Sequence, residues 1–421
     1  MSDSTPVSTS STTVCIVGGG PAGMVLAYLL ARQGIRTTLL ESHGDFNREF
    51  RGDTLHSTTM ELLDELGLGE KVAAIVHSKL QTLKLITPTG SLDIIHLEWL
   101  HSRHNYVGLV PQHDFLDLLA AEAGRFPAFE LRMHAAAQEL IEENGSVVGV
   151  RYHATDGMHE LRAKLVIGAD GRGSKIRSAG GFELKKMAAP MDIVWFNLPA
   201  QEGDDTIDPF AVRFAPGAIL VTFNRRDRWQ FGFVIMKGSA KELHAGGIEA
   251  FHKLLSELLP DMASRFAPAL PDWKHTQMLA VQIARVTRWY KPGLLLIGDA
   301  AHIMSPVGGV GINYAIQDAL ATANLLTDPL RDGTLTTAHL EAVEKRRLYP
   351  TRMIQFVQGQ AQQRVVRQAL KAGEAFRIPF IARVIRALPL IRRIPALVIG
   401  RGFRVERLRH REARPEPVIG A

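Results

Sequence analysis

Gly18-Gly19-Gly20-Pro21-Ala22-Gly23 is the segment whose residue types and spacing best suit a phosphorylated ligand. It follows Val14-Cys15-Ile16-Val17, an apolar run that does not alternate and so reads as a buried parallel strand. The glycines then open a helix predicted over 22–33. Gly18 permits the tight turn, Gly20 lets backbone approach a pyrophosphate, and Gly23 lets helix and strand pack closely. The helix begins at Pro21 and Ala22, where unpaired N–H groups and the positive end of the helix dipole favour an anion. A second strand, Thr37–Leu40, ends at Glu41 with Ser42 beside it. That carboxylate falls where a ribose hydroxyl needs an acceptor. The pattern predicts a dinucleotide site and does not by itself separate NAD from FAD.

Two further segments carry the same kind of chemistry. Gly168-Ala169-Asp170-Gly171-Arg172-Gly173-Ser174 runs on to Arg177. Leu294-Leu295-Leu296-Ile297-Gly298-Asp299-Ala300-Ala301-His302 runs on to Pro306 and Asn313. Residues 294–297 read as a buried strand, with Asp299 at its carboxyl end, where open α/β sheets bind ligands. Pro306, Gly308, Gly309 and Gly311 make a loop with little side chain, against which a flat ring can lie. A helix is predicted from Ile312-Asn313 to about residue 325. His302 reads as a hydrogen-bonded structural histidine.

Residues 168–177 resemble the Asp-Gly motif of the single-component flavoprotein monooxygenases, the p-hydroxybenzoate hydroxylase family. Residues 298–318 resemble that family's Gly-Asp motif. Arg51-Gly52-Asp53-Thr54-Leu55 and Gln112-His113-Asp114-Phe115-Leu116 are also similar to it. The resemblance spans residues 12–345 in order and implies bound FAD, with NADPH or NADH and O2 as co-substrates. It implies that Asp299 binds the ribityl or pyrophosphate region. Arg51 and Gln112 would contact pyrophosphate and ribityl, and Asp170 would support flavin and nicotinamide binding. The amides at Ile312 and Asn313 would face the flavin edge that gathers negative charge on reduction. Pro306 and the glycines after it would wall the ring face where oxygen attacks. In this family the nicotinamide cofactor binds a surface groove, which agrees with the absence of a second Gly-x-Gly-x-x-Gly unit. His56 and Tyr106 are the candidate bases. The implied reaction is hydroxylation of a hydrophobic aromatic or polycyclic substrate. A flavin-dependent isoprenoid-lipid reductase and a non-catalytic flavoprotein are the alternatives. A flavin halogenase is disfavoured, since no Trp-x-Trp-x-Ile-Pro segment is present.

The elements that must position these residues give an α/β fold. It comprises a Rossmann-like FAD-binding domain, a second antiparallel-sheet substrate domain and a C-terminal helical region. With 421 residues, 46% of them hydrophobic, the chain can bury a large core. The FAD domain is expected from 13–79, 109–182 and 281–345. Residues 80–108 and 183–280 are expected to form the strand-rich sheet, and 346–421 a basic helical region. In the strand 229–235, Trp229, Phe231, Phe233 and Ile235 share one face, read as core, opposite Gln230, Gly232 and Val234. Residues 1–12 read as a disordered tail. Cys15, the single cysteine, reads as a buried thiol, consistent with a cytoplasmic protein. His101 and His104 lack a second ligand pair, so no metal site is expected. From 364 to 414 there are 14 basic and three acidic residues, a net +11. The remainder therefore sums to −5 against the whole-chain +6. Around 376–421 these charges interleave with apolar residues, read either as helices packed on the FAD domain or as a peripheral contact with an anionic membrane. No base-reading motif accompanies them, so a nucleic-acid partner is not expected.

Overall fold

A computed structural model describes residues 8–47, 53–88, 90–370 and 393–414. The strand Ser8–Val17 lies inside a parallel sheet, between Thr37–Leu40 and Gly157–Gly168. Leu294–Leu296 pairs outside Gly157–Gly168, and Phe129–Arg132 outside Thr37–Leu40, all parallel. Register places Val17 opposite both Leu40 and Gly168, and Gly168 opposite Leu296. The carboxyl ends of four strands are therefore in one row, and the three motifs, each beginning where a strand stops, emerge side by side. Val14, Cys15 and Ile16 are fully buried, as a strand covered on both faces requires. Burial pushes the Cys15 thiol up to about 12, so it remains protonated and inert.

The opening strand is longer than expected. Residues 8–12, read as part of a disordered tail, pair in parallel with 159–163. Threonine is β-branched and suits a strand, and the partner extends twelve residues, long enough to receive them. Ala136–Glu143 and Ser146–Ala154 form the expected meander leading into Gly157–Gly168.

The second sheet has seven strands and draws on both segments expected to build it. Its order is Gln277–Leu279, Met191–Pro199, Arg228–Met236, Ala218–Asn224, Phe210–Ala215, Thr82–Thr87 and Gly90–His96. One junction is parallel, between 211–213 and 84–86, because there two separate parts of the chain meet. Trp229, Phe231 and Phe233 pack in a core with Phe251, Leu255 and Phe266. The Phe196 and Phe231 rings stack at 5.0 Å. The helices Ile248–Leu258 and Ala263–Ala269, which supply that packing, interrupt a segment read as strand-rich.

The helix Gly311–Arg331 packs against Pro21–Ala31. The next helix, Thr337–Ala361, runs across residue 346, where the C-terminal region was expected to begin. Residues 407–412 lie on the FAD-binding side: Arg32 Nη1 donates to His410 O (2.9 Å), Gln33 Nε2 to Glu412 O (2.7 Å) and Asn324 Nδ2 to Arg407 O (2.9 Å), whereas Ile394–Gly400 packs beside Gly90–His96 and Leu97–Trp99. The rest of the basic–apolar run, 371–392 and 415–421, is outside the described residues. Among the described residues no helix is long and apolar enough to cross a membrane.

A Cβ on Gly23 would sit 2.0 Å from the Gly18 carbonyl oxygen. Gly23→Ala must push helix from strand. It is expected to cost about 1–3 kcal/mol of stability, read from urea unfolding midpoints, and to weaken FAD retention with it.

Candidate active site

At the helix start, Gly20 is the N-cap, and no side chain caps the first turn. A Cβ on Gly20 would meet nothing within 4 Å, so the amides of that turn open onto the cavity. Glu41 is nearly buried beside them; its Oε2 accepts from Gly19 N (2.9 Å) and its Oε1 from His43 N (3.0 Å). Ser42 Oγ lies 3.2 Å from Glu41 Oε1. These contacts fix the carboxylate at the rim of the cradle.

The second motif is tied to the third by arginines. Arg177 Nη1 donates to Ala300 O (3.0 Å) and Nη2 to Arg172 O (2.6 Å), while Arg172 Nε reaches Asp299 Oδ2 (3.3 Å). Burial lowers the Arg177 pKa, opposed by Asp170 and Asp299. Asp170 accepts from Ser174 Oγ and from Ile176 N (3.1 Å), so its carboxylate organises its own turn while lining the cavity.

The loop from Ser305 to Gly309 is gripped through its carbonyls. Thr54 Oγ1 donates to Gly309 O (2.8 Å), and Gln358 Nε2 to Ser305 O (3.0 Å) and Val307 O (2.8 Å). Gly309 has φ +61°, and a Cβ there would lie 2.4 Å from Thr54 Oγ1, so only glycine fits. Asn313 uses its side chain as a clamp: Oδ1 accepts from His56 N (2.9 Å) and Thr59 Oγ1 (2.8 Å), and Nδ2 donates to Thr54 O (2.8 Å). His302 is structural, as expected, with Nε2 2.5 Å from Asp318 Oδ2 and no exposure.

One cavity of about 1460 Å³ receives most of the expected residues. Gly18, Gly20, Pro21, Ala22, Glu41, Ser42, Gln112, Asp170, Asp299, Pro306, Gly309, Gly311, Ile312 and His56 line it. Gly23, Gly298 and Asn313 stand behind that lining, and Arg51 is outside the described residues. Tyr106 also does not line the cavity. Its hydroxyl is 3.2 Å from His104 Nδ1, and His104 Nε2 is 2.6 Å from Asp64 Oδ2. Burial and the Asp64 charge raise its pKa. His56 Nδ1 donates to Ile399 O (2.7 Å), so Nε2 is an acceptor; it is buried without a partner. Burial brings His56 down to about 4, the Ile399 hydrogen bond opposing the shift.

Sequence reasoning missed Gln358, Gln355, Arg347 and the partners of Asp318. Gln355, Gln358 and Gln362 recur at i, i+3 and i+7, a polar stripe that turns out to be buried. That spacing was the available signal.

The FAD cradle fits the residues present: an uncapped helix start, open space over Gly20, and a cavity larger than the roughly 300–1,000 Å³ of one small-ligand site. A family model described as "FAD binding domain" matches residues 11–357. The chain belongs to the FAD-binding monooxygenase family. A relative, the 6-methylpretetramide 4-monooxygenase of Streptomyces rimosus, is 32% identical over 81% of this chain and 81% of its own. Digeranylgeranylglycerophospholipid reductase 1 of Methanopyrus kandleri is 26% identical, covering 79% of this chain and 85% of its own. The fold is similar to that of p-nitrophenol 4-monooxygenase from Pseudomonas putida, with a TM-score of 0.76 at 20% identity, covering 95% of this chain and 100% of that one. This flavoprotein is an FAD-dependent monooxygenase of the p-hydroxybenzoate hydroxylase-like class, for which NAD(P)H is the typical reductant.

Asp299→Ala is expected to yield protein purified without yellow cofactor; a fully flavinated variant would remove Asp299 from the cradle. His56 gives a pH prediction. Its folded pKa of about 4 lies below the ordinary value of about 6.5. The unfolded chain therefore takes up the proton first, and stability is lost as pH falls from about 6.5 towards 4, by roughly 3 kcal/mol. His56→Gln should flatten that part of the curve in denaturation measured between pH 7 and 4.

Proposed function

We propose that this monooxygenase hydroxylates a hydrophobic, polycyclic aromatic substrate, with NAD(P)H reducing the flavin and O2 supplying the oxygen atom. One observation carries the reading: the cavity does not end at the cradle. It continues to an apolar wall of the second sheet that includes Ile193, Trp195, Phe210, Val212, Phe223 and Val234. Phe210 and Phe223 stack there at 5.0 Å and 20°, with Trp195 6.4 Å from Phe223. A face built of flat rings suits a flat fused-ring ligand. FAD, when bound, supplies oxygen activation; the chain supplies position and dryness.

In this reading Gly18, Gly20, Pro21 and Ala22 hold the pyrophosphate, Glu41 and Ser42 the ribose end, and Gln112 and Asp299 the ribityl–pyrophosphate stretch. Pro306, Gly309, Gly311 and Ile312 flank the ring system, on a loop that Thr54, Asn313 and Gln358 keep from moving. The apolar wall keeps water from the reacting carbon. Burial keeps His56 neutral and its Nε2 out of reach of a ligand, so this reading assigns it no proton transfer. The 32%-identical relative is named for a reaction on 6-methylpretetramide, which agrees with a polycyclic substrate.

The relative from Methanopyrus supports the isoprenoid-lipid reductase as a second reading, since an apolar cavity also admits a prenyl chain. Product analysis separates the two. Polycyclic aromatics are expected to stimulate NAD(P)H oxidation and to yield a product one oxygen atom heavier, labelled from isotopic O2. A saturated lipid formed without oxygen would replace this proposal with the reductase. A ligand-independent, slow oxidation across the aromatic panel would remove polycyclic aromatics as the substrate class.

A further inference from the structure

On the cavity wall of the second sheet, two hydrogen-bond donors have no acceptor. The first is the amide of Gln230. Arg225 Nε donates to Gln230 Oε1 (2.8 Å), and Nη2 donates to the same oxygen. A guanidinium has only donors, so the amide oxygen must face it and the NH2 group must face away. Among the described residues that NH2 has no partner, and Gln230 lines the cavity. Arg225 is itself 5% exposed and fixed by an ion pair with Asp53, so the orientation is locked. The second is Trp195 Nε1, but that atom is buried away from the cavity, and only the ring lines it. Gln230 pairs with Asn197, and Trp195 with Gly232, on adjacent antiparallel strands. The two side chains are thus diagonal neighbours on one face, roughly 7 Å apart and within reach of one ring system.

We propose that Gln230 is a specificity-determining residue, whose NH2 donates to a carbonyl or phenolic oxygen on the edge of a substrate lying against the Trp195 ring. The proposal rests on the aromatic-hydroxylase reading and narrows it to oxygenated polycycles. An otherwise apolar wall accepts a bare hydrocarbon by size alone. The unpaired NH2 of Gln230 penalises it, because a bare hydrocarbon desolvates the amide without a partner, whereas an oxygen in its reach satisfies it. Arg225 polarises the amide and strengthens its N–H groups as donors.

The test compares 1-naphthol with 1-methylnaphthalene, which replaces the hydroxyl by a methyl of similar size. Dissociation constants are read on the FAD-loaded enzyme from the flavin absorbance change. Wild type is expected to prefer 1-naphthol about tenfold. Gln230→Met removes the NH2 without adding an acceptor and should lose most of that preference; Gln230→Leu should do the same. Gln230→Asn keeps the amide but withdraws its NH2, and should reduce the preference about threefold. It carries the test if the other glutamine variants lose FAD. Full preference in Gln230→Met or in Gln230→Asn would overturn the role of the amide. Equal binding of the two probes by wild type overturns the proposal and leaves the aromatic reading standing. No binding of either overturns both.

Discussion

Asp318 is a carboxylate with no contact with water, on which three segments converge. Its Oδ2 accepts from Gly298 N (3.1 Å) and lies 2.5 Å from His302 Nε2; its Oδ1 accepts from Arg347 Nε (2.8 Å). Burial acts to raise its pKa, but His302 and Arg347 outweigh burial and hold it below the usual carboxylate range. A buried charge is tolerated only with such partners, and losing one leaves the others stranded. The helix Gly311–Arg331, the turn carrying Asp299 and the helix Thr337–Ala361 are therefore held in one arrangement. Arg347 also lies 3.6 Å from Glu406, whose N–H donates to Gln317 Oε1 (2.6 Å). The same network thus reaches the C-terminal residues.

That fixed frame explains why a loop of glycines can serve as a wall. A chain with so little side chain has few contacts of its own. Its carbonyls are held instead by Thr54, Asn313 and Gln358, from two helices and a short strand. Backbone is left exposed on the cavity side, where a planar group can approach it. The second sheet completes the enclosure with side chains of the opposite character, large and apolar, carrying a few oriented polar atoms.

The parallel sheet was legible because buried strands lack alternation and the motifs begin where strands stop. The strand at Trp229 was legible too: its aromatic row is core, and its other face looks onto the cavity. Composition misled at residues 8–12, where serine and threonine read as tail but a long partner strand was waiting. It also hid the helices around Phe251 and Phe266, whose apolar spacing is helical within a segment taken for strands. In the site, residues that line the cavity through backbone or glycine were visible, because the motif is itself the geometry. Residues acting through others were not. Gln358 and Arg347 act from a helix beyond the motif span, and nothing local to them marks partners 53 and 29 residues upstream. Tyr106 has the chemistry of a base, but tertiary contacts direct it to His104 instead.

The helix Ile394–Gly400 has a consequence for how such enzymes diverge. Ile394, Pro395, Val398 and Ile399 contribute cavity wall beside Gly90–His96 and Leu97–Trp99. Exchanging this short segment between homologues would recontour the chamber while leaving the nucleotide grip intact. Two couplings limit the exchange: the Ile399 carbonyl orients His56, and its side chain abuts Gly308. A graft that respects both offers evolution, or an engineer, a modular route to new selectivity.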